Sequence, residues 1–193
     1  MPNAQPQEKP YYTYADFLEW DEGTHAEIID GELYMMAPPS TFHQFMRMEL
    51  AAQLHAFLKG KPCGVYAAPF GVRLFPRPDR QDATVVEPDI VVVCDRSKLD
   101  ERGCNGAPDM VIEILSPSTA RTDKVVKFHT YLAAGVKEYW IVNPDEKIIQ
   151  VHILENGHYT VDMYDETGKV PVMVLPGCII DVSVIFGGFG HGI

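Results

Sequence analysis

The chain has 193 residues, enough for one domain with a substantial core, and its 46% hydrophobic and 22% charged content is ordinary for a globular protein. A formal charge of −11 excludes a protein that coats nucleic acid through a general basic field. It does not exclude an enzyme whose acids gather around a metal ion, since the ion offsets part of that charge.

The first twelve residues, MPNAQPQEKPYY, lack the basic-then-apolar pattern of a signal peptide and are expected to form a disordered lead. Thr13 to Trp20 starts with a cap-like Thr and carries Asp16 three positions on, the pattern of a short capped helix. EIIDGELYMM, Glu27 to Met36, is two short apolar runs around Asp30-Gly31, a hairpin signal. Ser40 to Lys59 has helical spacing, with Phe42, Phe45, Met46, Leu50, Leu54, Phe57 and Leu58 on one face and Gly60 as a stop. GVYAAPFGVRLFP reads as one or two strands interrupted near Pro69.

Ile90 to Cys94 and Met110 to Leu115 are short β-branched runs of the kind found in central strands. Ser118 to Ala134 is a second helix, stopped by Gly135, with Ser118 or Thr119 as its N-cap. EYWIVNP follows as a strand, with Tyr139 and Trp140 in the core. IIQVHIL, HYTVDMYD and VPVMVLP are expected to continue as a β meander with a turn at Asn156-Gly157. This order predicts an α/β (α+β) domain over residues 13–186, with one mixed sheet flanked by helices and extra antiparallel strands, and a flexible tail at 187–193.

No apolar run approaches the length of a membrane span. The cysteines, Cys63, Cys94, Cys104 and Cys178, are far apart and form no C-x-x-C pair. Neither a zinc site nor a disulfide framework is expected, and a reducing cytoplasm is the expected compartment. His25, His55, His129, His152, His158 and His191 show no metal-ligand spacing. Ser116 and Ser118 lack a G-x-S-x-G frame, so a serine nucleophile is discounted.

Two acids stand out. In EPDIVVV, period two places Asp89, Val91 and Val93 on one face. In VIEIL, Val111, Glu113 and Leu115 share a face. A carboxylate in a buried strand is costly unless it is paired, hydrogen-bonded or bound to a metal. An end-of-strand cap or an arginine pair explains Asp89 alone. Glu113 lies inside its run and resists that explanation. Acids on neighbouring strands could share a hard cation such as Mg²⁺, with the Ile114 carbonyl as a further ligand. In the second helix, Lys124, Lys127, Tyr131 and Ala134 fall on one side and Val125, Phe128 and Leu132 on the other, core-like side. Asp123 and Lys127 are four apart, so on spacing alone a solvated surface ion pair is the better reading of Lys127.

At these residues the sequence resembles the Uma family of restriction-endonuclease-like proteins, within the PD-(D/E)XK nuclease superfamily. The matching stretches are HAEIIDGELYMMAPPSTFHQ, EPDIVVV, PDMVIEILSPST and DKVVKFHTYLAAGVKEYWIVNP. The resemblance implies a restriction-endonuclease-like core, with Asp89 and Glu113 as ligands of Mg²⁺ (or Mn²⁺). It departs from the superfamily pattern two positions after Glu113, where lysine is usual and Leu115 stands. The Uma-type arrangement draws its lysine from the following helix, which assigns that role to Lys127, with Tyr131 beside it and Lys124 as runner-up. Glu27 and His43 are implied to border the site. Asp109, in a second Pro-Asp, lies about 13 Å along the strand from Glu113, too far to share one ion.

Two main functions follow. One is a Mg²⁺-dependent endonuclease acting on DNA phosphodiesters, with Arg121, Lys124, Arg73 or Arg77 on backbone phosphates. The other is a catalytically inactive interaction or regulatory protein on the same core, favoured by Leu115 and the acidic balance. A hydrolase of smaller phosphoesters is weaker, for lack of any nucleotide-pocket signature. The edge of the meander is a candidate surface for a homodimer.

Overall fold

The computed structural model describes residues 11–20, 23–117 and 119–187. Residues 1–10 of the expected lead, Ser118 and residues 188–193 of the expected tail lie outside the described residues. Tyr12 already belongs to the fold. It is buried, and its N–H donates to the Gly31 carbonyl at 2.9 Å.

Helix α1, Tyr14–Phe17, is short and held by a capping box. The Asp16 carboxylate accepts both the N–H and the hydroxyl of Thr13. Strands β1, Ala26–Ile29, and β2, Glu32–Met35, form the expected hairpin. Asp30 and Gly31 both take positive φ, 51° and 80°, as a tight two-residue hairpin turn requires. Helix α2, Thr41–Leu58, is capped by the Ser40 hydroxyl accepting from the His43 N–H. Its Met46, Leu50, Leu54 and Leu58 are buried as the spacing predicts.

Strands β3, Gly64–Ala67, and β4, Val72–Arg73, flank the Ala68-Pro69 break. Strands β5, Val85–Val86, and β6, Ile90–Val93, follow. A 3₁₀ turn at Arg96–Lys98 leads to β7, Leu99–Asp100, and β8, Gly103–Asn105. Strand β9, Met110–Ile114, is buried at every position. The second helix begins with a π-helical segment, Thr122–Lys127, and continues as α3, Phe128–Ala134, closed by Gly135 at φ +82°. Strands β10, Glu138–Asn143, β11, Ile148–Glu155, and β12, His158–Asp165, complete the main body. Strands β13, Lys169–Pro171, and β14, Ile179–Asp181, precede α4, Ser183–Gly187.

One expected sheet is in fact two. One has the order β12-β11-β10-β9-β6-β3, and the other has β2-β1-β5-β4-β8-β7. The expected third strand of the meander pairs elsewhere: β13 joins β14 in a separate ribbon. Both sheets are mixed. In the first, β9 and β10 run parallel, joined through the second helix, as parallel neighbours require a crossover. Long-range pairings such as β4 with β8 build the second sheet, and nothing in a local run of residues encodes them.

The β9 and β6 side chains alternate as period two demands. Ile90, Val92, Met110, Ile112 and Ile114 pack with α2 in one core cluster. Val91, Val93, Val111 and Leu115 pack with Tyr131 and Tyr139 in another. Tyr139 and Trp140 are fully buried, as expected.

The cysteine expectation is overturned: Cys63 and Cys94 form a disulfide. They continue the antiparallel β3–β6 register, in which Gly64 faces Val93, so the two thiols stand opposite one another. That adjacency depends on strand register, which cysteine spacing does not carry. Cys104 and Cys178 are buried free thiols, and burial pushes the Cys104 thiol up to about 11, away from nucleophilic use.

A candidate metal and phosphodiester site

In the β6–β9 ladder Ile90 faces Ile112, which puts Asp89 opposite Glu113 one step further on. Asp89 Oδ2 accepts the Ile114 N–H at 2.8 Å, and the Asp89 N–H approaches Glu113 Oε2 at 3.5 Å. The Ile114 carbonyl and Asp89 Oδ2 lie 3.0 Å and 3.1 Å from His43 Nε2. His43 stands at the start of α2 and lines the same cavity as Asp89 and Glu113. Arg47, one turn further along α2, brings Nη1 to 3.8 Å from Asp89 Oδ1.

The second half of the site comes from the π-helical segment. Lys127 Nζ sits 2.8 Å from Glu27 Oε2, 2.9 Å from Glu113 Oε1 and 3.4 Å from Asp123 Oδ1. The Tyr131 hydroxyl donates to Glu113 Oε1 at 2.7 Å. Glu27 projects from β1, and its Oε1 accepts the Glu87 N–H at 2.8 Å. The surface reading of Lys127 therefore fails: its side chain is only 6% exposed, and its Asp123 partner is buried with it. The cause is the π turn. An i→i+5 segment holds more residues per turn than an α-helix, so successive residues are set closer in angle and the helical phase shifts along the segment. Asp123 and Lys127 turn inward together, while Val125, expected in the core, is 51% exposed.

Arg121 and Lys124 are exposed and do not line the cavity, so Lys124 is not brought to the carboxylates. Arg73 and Arg77 are engaged by Asp100 and Asp79. Asp109 serves the far end of β9, accepting from the Cys94 N–H and from Lys137. Asp123, Arg47 and Glu87 are the site residues that sequence reasoning missed or left peripheral. For Arg47 a signal existed, four residues after His43 on one helix face.

Electrostatics reflect crowding. Burial pushes the Glu113 carboxyl well above the usual carboxylate range; Lys127 opposes that rise, and Asp123, Glu27 and Asp89 add to it. Burial alone would lower the Lys127 ammonium, but Glu113, Glu27 and Asp123 outweigh it and raise its pKa well above the usual value. Asp123 is raised by burial, and Glu87 by burial and then by Glu27. Burial, then Glu113, raises the Tyr131 phenol, so it donates as a neutral hydroxyl.

Hard oxygen donors are what Mg²⁺ or Mn²⁺ prefers, and two opposed carboxylates with an adjacent main-chain carbonyl meet that preference. Among the described residues, no group of three or more His, Cys, Asp or Glu side chains is arranged to hold an ion. The candidate set is thus Asp89, Glu113 and the Ile114 carbonyl. These groups open into a cavity of about 610 Å³.

The sheet, its crossover helix and the opposed acids define a restriction-endonuclease-like domain. The chain belongs to the Uma2 family, described as "Putative restriction endonuclease", whose model matches residues 14–183. It is 25% identical over 183 residues to "Uncharacterized protein slr1290" of Synechocystis sp., covering 93% of each chain. The fold is similar to that of a solved Anabaena variabilis protein described as "a putative nuclease belonging to DUF820". That match has a TM-score of 0.73 and 22% identity, and covers 91% of this chain and 97% of that one. Among the described residues, no helix is long and apolar enough to cross a membrane.

Proposed function

We propose that this protein is a Mg²⁺- or Mn²⁺-dependent endonuclease that hydrolyses DNA phosphodiester bonds. The observation that carries the reading is the ion pair between buried Lys127 and Glu113, the acid that also faces Asp89. Leu115 at the usual lysine position had favoured an inactive protein. An amine delivered from the crossover helix removes that objection. The family and the name of its solved neighbour support nuclease chemistry.

Asp89, Glu113 and the Ile114 carbonyl would hold the cation. The chemistry such an ion supplies when bound is Lewis acidity: it polarises a phosphoryl oxygen and lowers the pKa of an attacking water. Lys127, held cationic by three carboxylates, stabilises negative charge building on the phosphate. Tyr131 fixes the Glu113 rotamer, and Glu27 with Asp123 fixes the ammonium. Arg47 lines the cavity wall beside Asp89 and would turn its guanidinium to a phosphate oxygen there. A homodimer through the open edge of β12 belongs to the same proposal.

Cleavage of a DNA mixture by the full chain, with Mg²⁺ or Mn²⁺ and with EDTA, tests the reading. Metal-dependent products that vanish in Glu113→Ala are expected. Cleavage that survives Glu113→Ala contradicts it.

A further inference from the structure

The cavity that holds the acids has a second, apolar wall. Leu33, Tyr34, Met35 and Phe42 line it, facing Asp89, Glu113 and Lys127 across about 610 Å³. Tyr34 pairs directly with Glu27 in the β1–β2 ladder, so both side chains rise from the same face. The Tyr34 ring therefore stands beside the acid that anchors Lys127. Its hydroxyl donates to Glu32 at 3.0 Å, and its half-buried ring, packed on one side against the core, also lines the cavity. Met35 adds an apolar side chain that is 65% exposed.

Basic groups are scarce around this cavity. Among the described residues, Arg47 and Lys127 are the only arginine and lysine that line it; Lys127 is committed to carboxylates, and Arg47 lies 3.8 Å from Asp89 Oδ1. Arg73, Arg77, Lys137 and Lys147 are each paired with an acid elsewhere. A duplex is held through many phosphates at once, and its bases are stacked out of reach of an apolar wall. Unpaired strands are held differently, by few phosphate contacts and by bases stacking on aromatic rings. The volume also falls within the roughly 300–1,000 Å³ of small-ligand pockets rather than that of a duplex-wide groove.

From this geometry we infer that the site takes single-stranded DNA, packing an unpaired base against Tyr34 while Arg47 meets the adjoining phosphate. This rests on the nuclease reading above and adds the strandedness of its substrate. Discrimination comes from the wall: a base pair kept in its stack cannot reach Tyr34.

The test is fluorescence anisotropy of a short fluorescein-labelled DNA strand, alone or annealed to its complement. The full chain is used, with Ca²⁺ in place of Mg²⁺ to hold off hydrolysis. The single strand should bind at least about tenfold more tightly than the duplex, and Tyr34→Ala should erase most of that preference while Tyr34→Phe keeps it. Equal or tighter duplex binding overturns the inference, as does a Tyr34→Ala variant that melts normally and binds the strand like wild type. Cleavage with Mg²⁺ is scored separately. Strand-selective binding without any cleavage would keep this inference and remove the nuclease reading. Cleavage with equal binding of both forms would do the reverse.

Discussion

Lys127 serves three carboxylates at once. Glu27, Glu113 and Asp123 surround one ammonium, so the buried cluster is acid-rich even before Asp89 is included. Such clusters are held for function more than for stability, since desolvation opposes every charge in them. Removing the lysine strands the acids, so Lys127→Met should lower stability by about 3–5 kcal/mol in urea titration. Loss under 1 kcal/mol would argue against a fully paired ammonium.

Glu113 gives the opposite sign. Its folded pKa is raised above its unfolded value of about 4.3, so the native state holds that proton more tightly. Its effect on stability is then a penalty that grows as pH rises from about 4 through the folded pKa. Glu113→Gln cannot ionise and should melt at or above the wild-type temperature at neutral pH. It should also lose any stabilisation by divalent ions. A sharp drop in Tm at neutral pH would contradict the sign. Lys127 has the same sign of pH dependence in a higher window: its stabilisation is complete below about 10.4 and is lost as pH rises through its raised folded pKa.

Among the elements, the π-helical segment Thr122–Lys127 makes the largest difference to the site. π turns act as single insertions in α-helices and recur at functional sites. Deleting exposed Val125 should restore α spacing and rotate Lys127 away from Glu113. The expected variant keeps its far-UV circular dichroism and loses metal-dependent cleavage; retained cleavage would show that the turn is dispensable. The β3–β6 pair carries the Cys63–Cys94 bridge across 31 residues of sequence. A loop of that length corresponds to about 3–4 kcal/mol of stabilisation, so Cys63→Ser should lower stability by that order under oxidising conditions and leave it unchanged under reducing ones. A Cys63→Ser variant as stable as the oxidised wild type would contradict the estimate.

Across the whole molecule, what was legible in the sequence was periodic or local. Period two assigned the faces of β6 and β9, including the one shared by Glu113 and Tyr131's cluster. The Asp30-Gly31 and Asn156-Gly157 turns and the Ser40 cap follow from residue chemistry. Lys127 was misread by spacing because α-helical phase was assumed where a π turn stands, and only the family resemblance pointed inward. Cys63 with Cys94, and the division into two sheets, depend on long-range register that no local run of residues contains. Charge adds a global constraint. A chain at −11 approaches a polyanion against its own field, so a local cation has to overcome that field at the site.

The most direct measurement is therefore calorimetric titration of Mn²⁺ and Mg²⁺ into the wild type, Asp89→Asn and Glu113→Gln. The account predicts binding to the wild type and its loss in both variants while each still melts cooperatively. Binding that persists unchanged in both variants, or no binding to the wild type at all, would contradict the claim that Asp89 and Glu113 hold the cation.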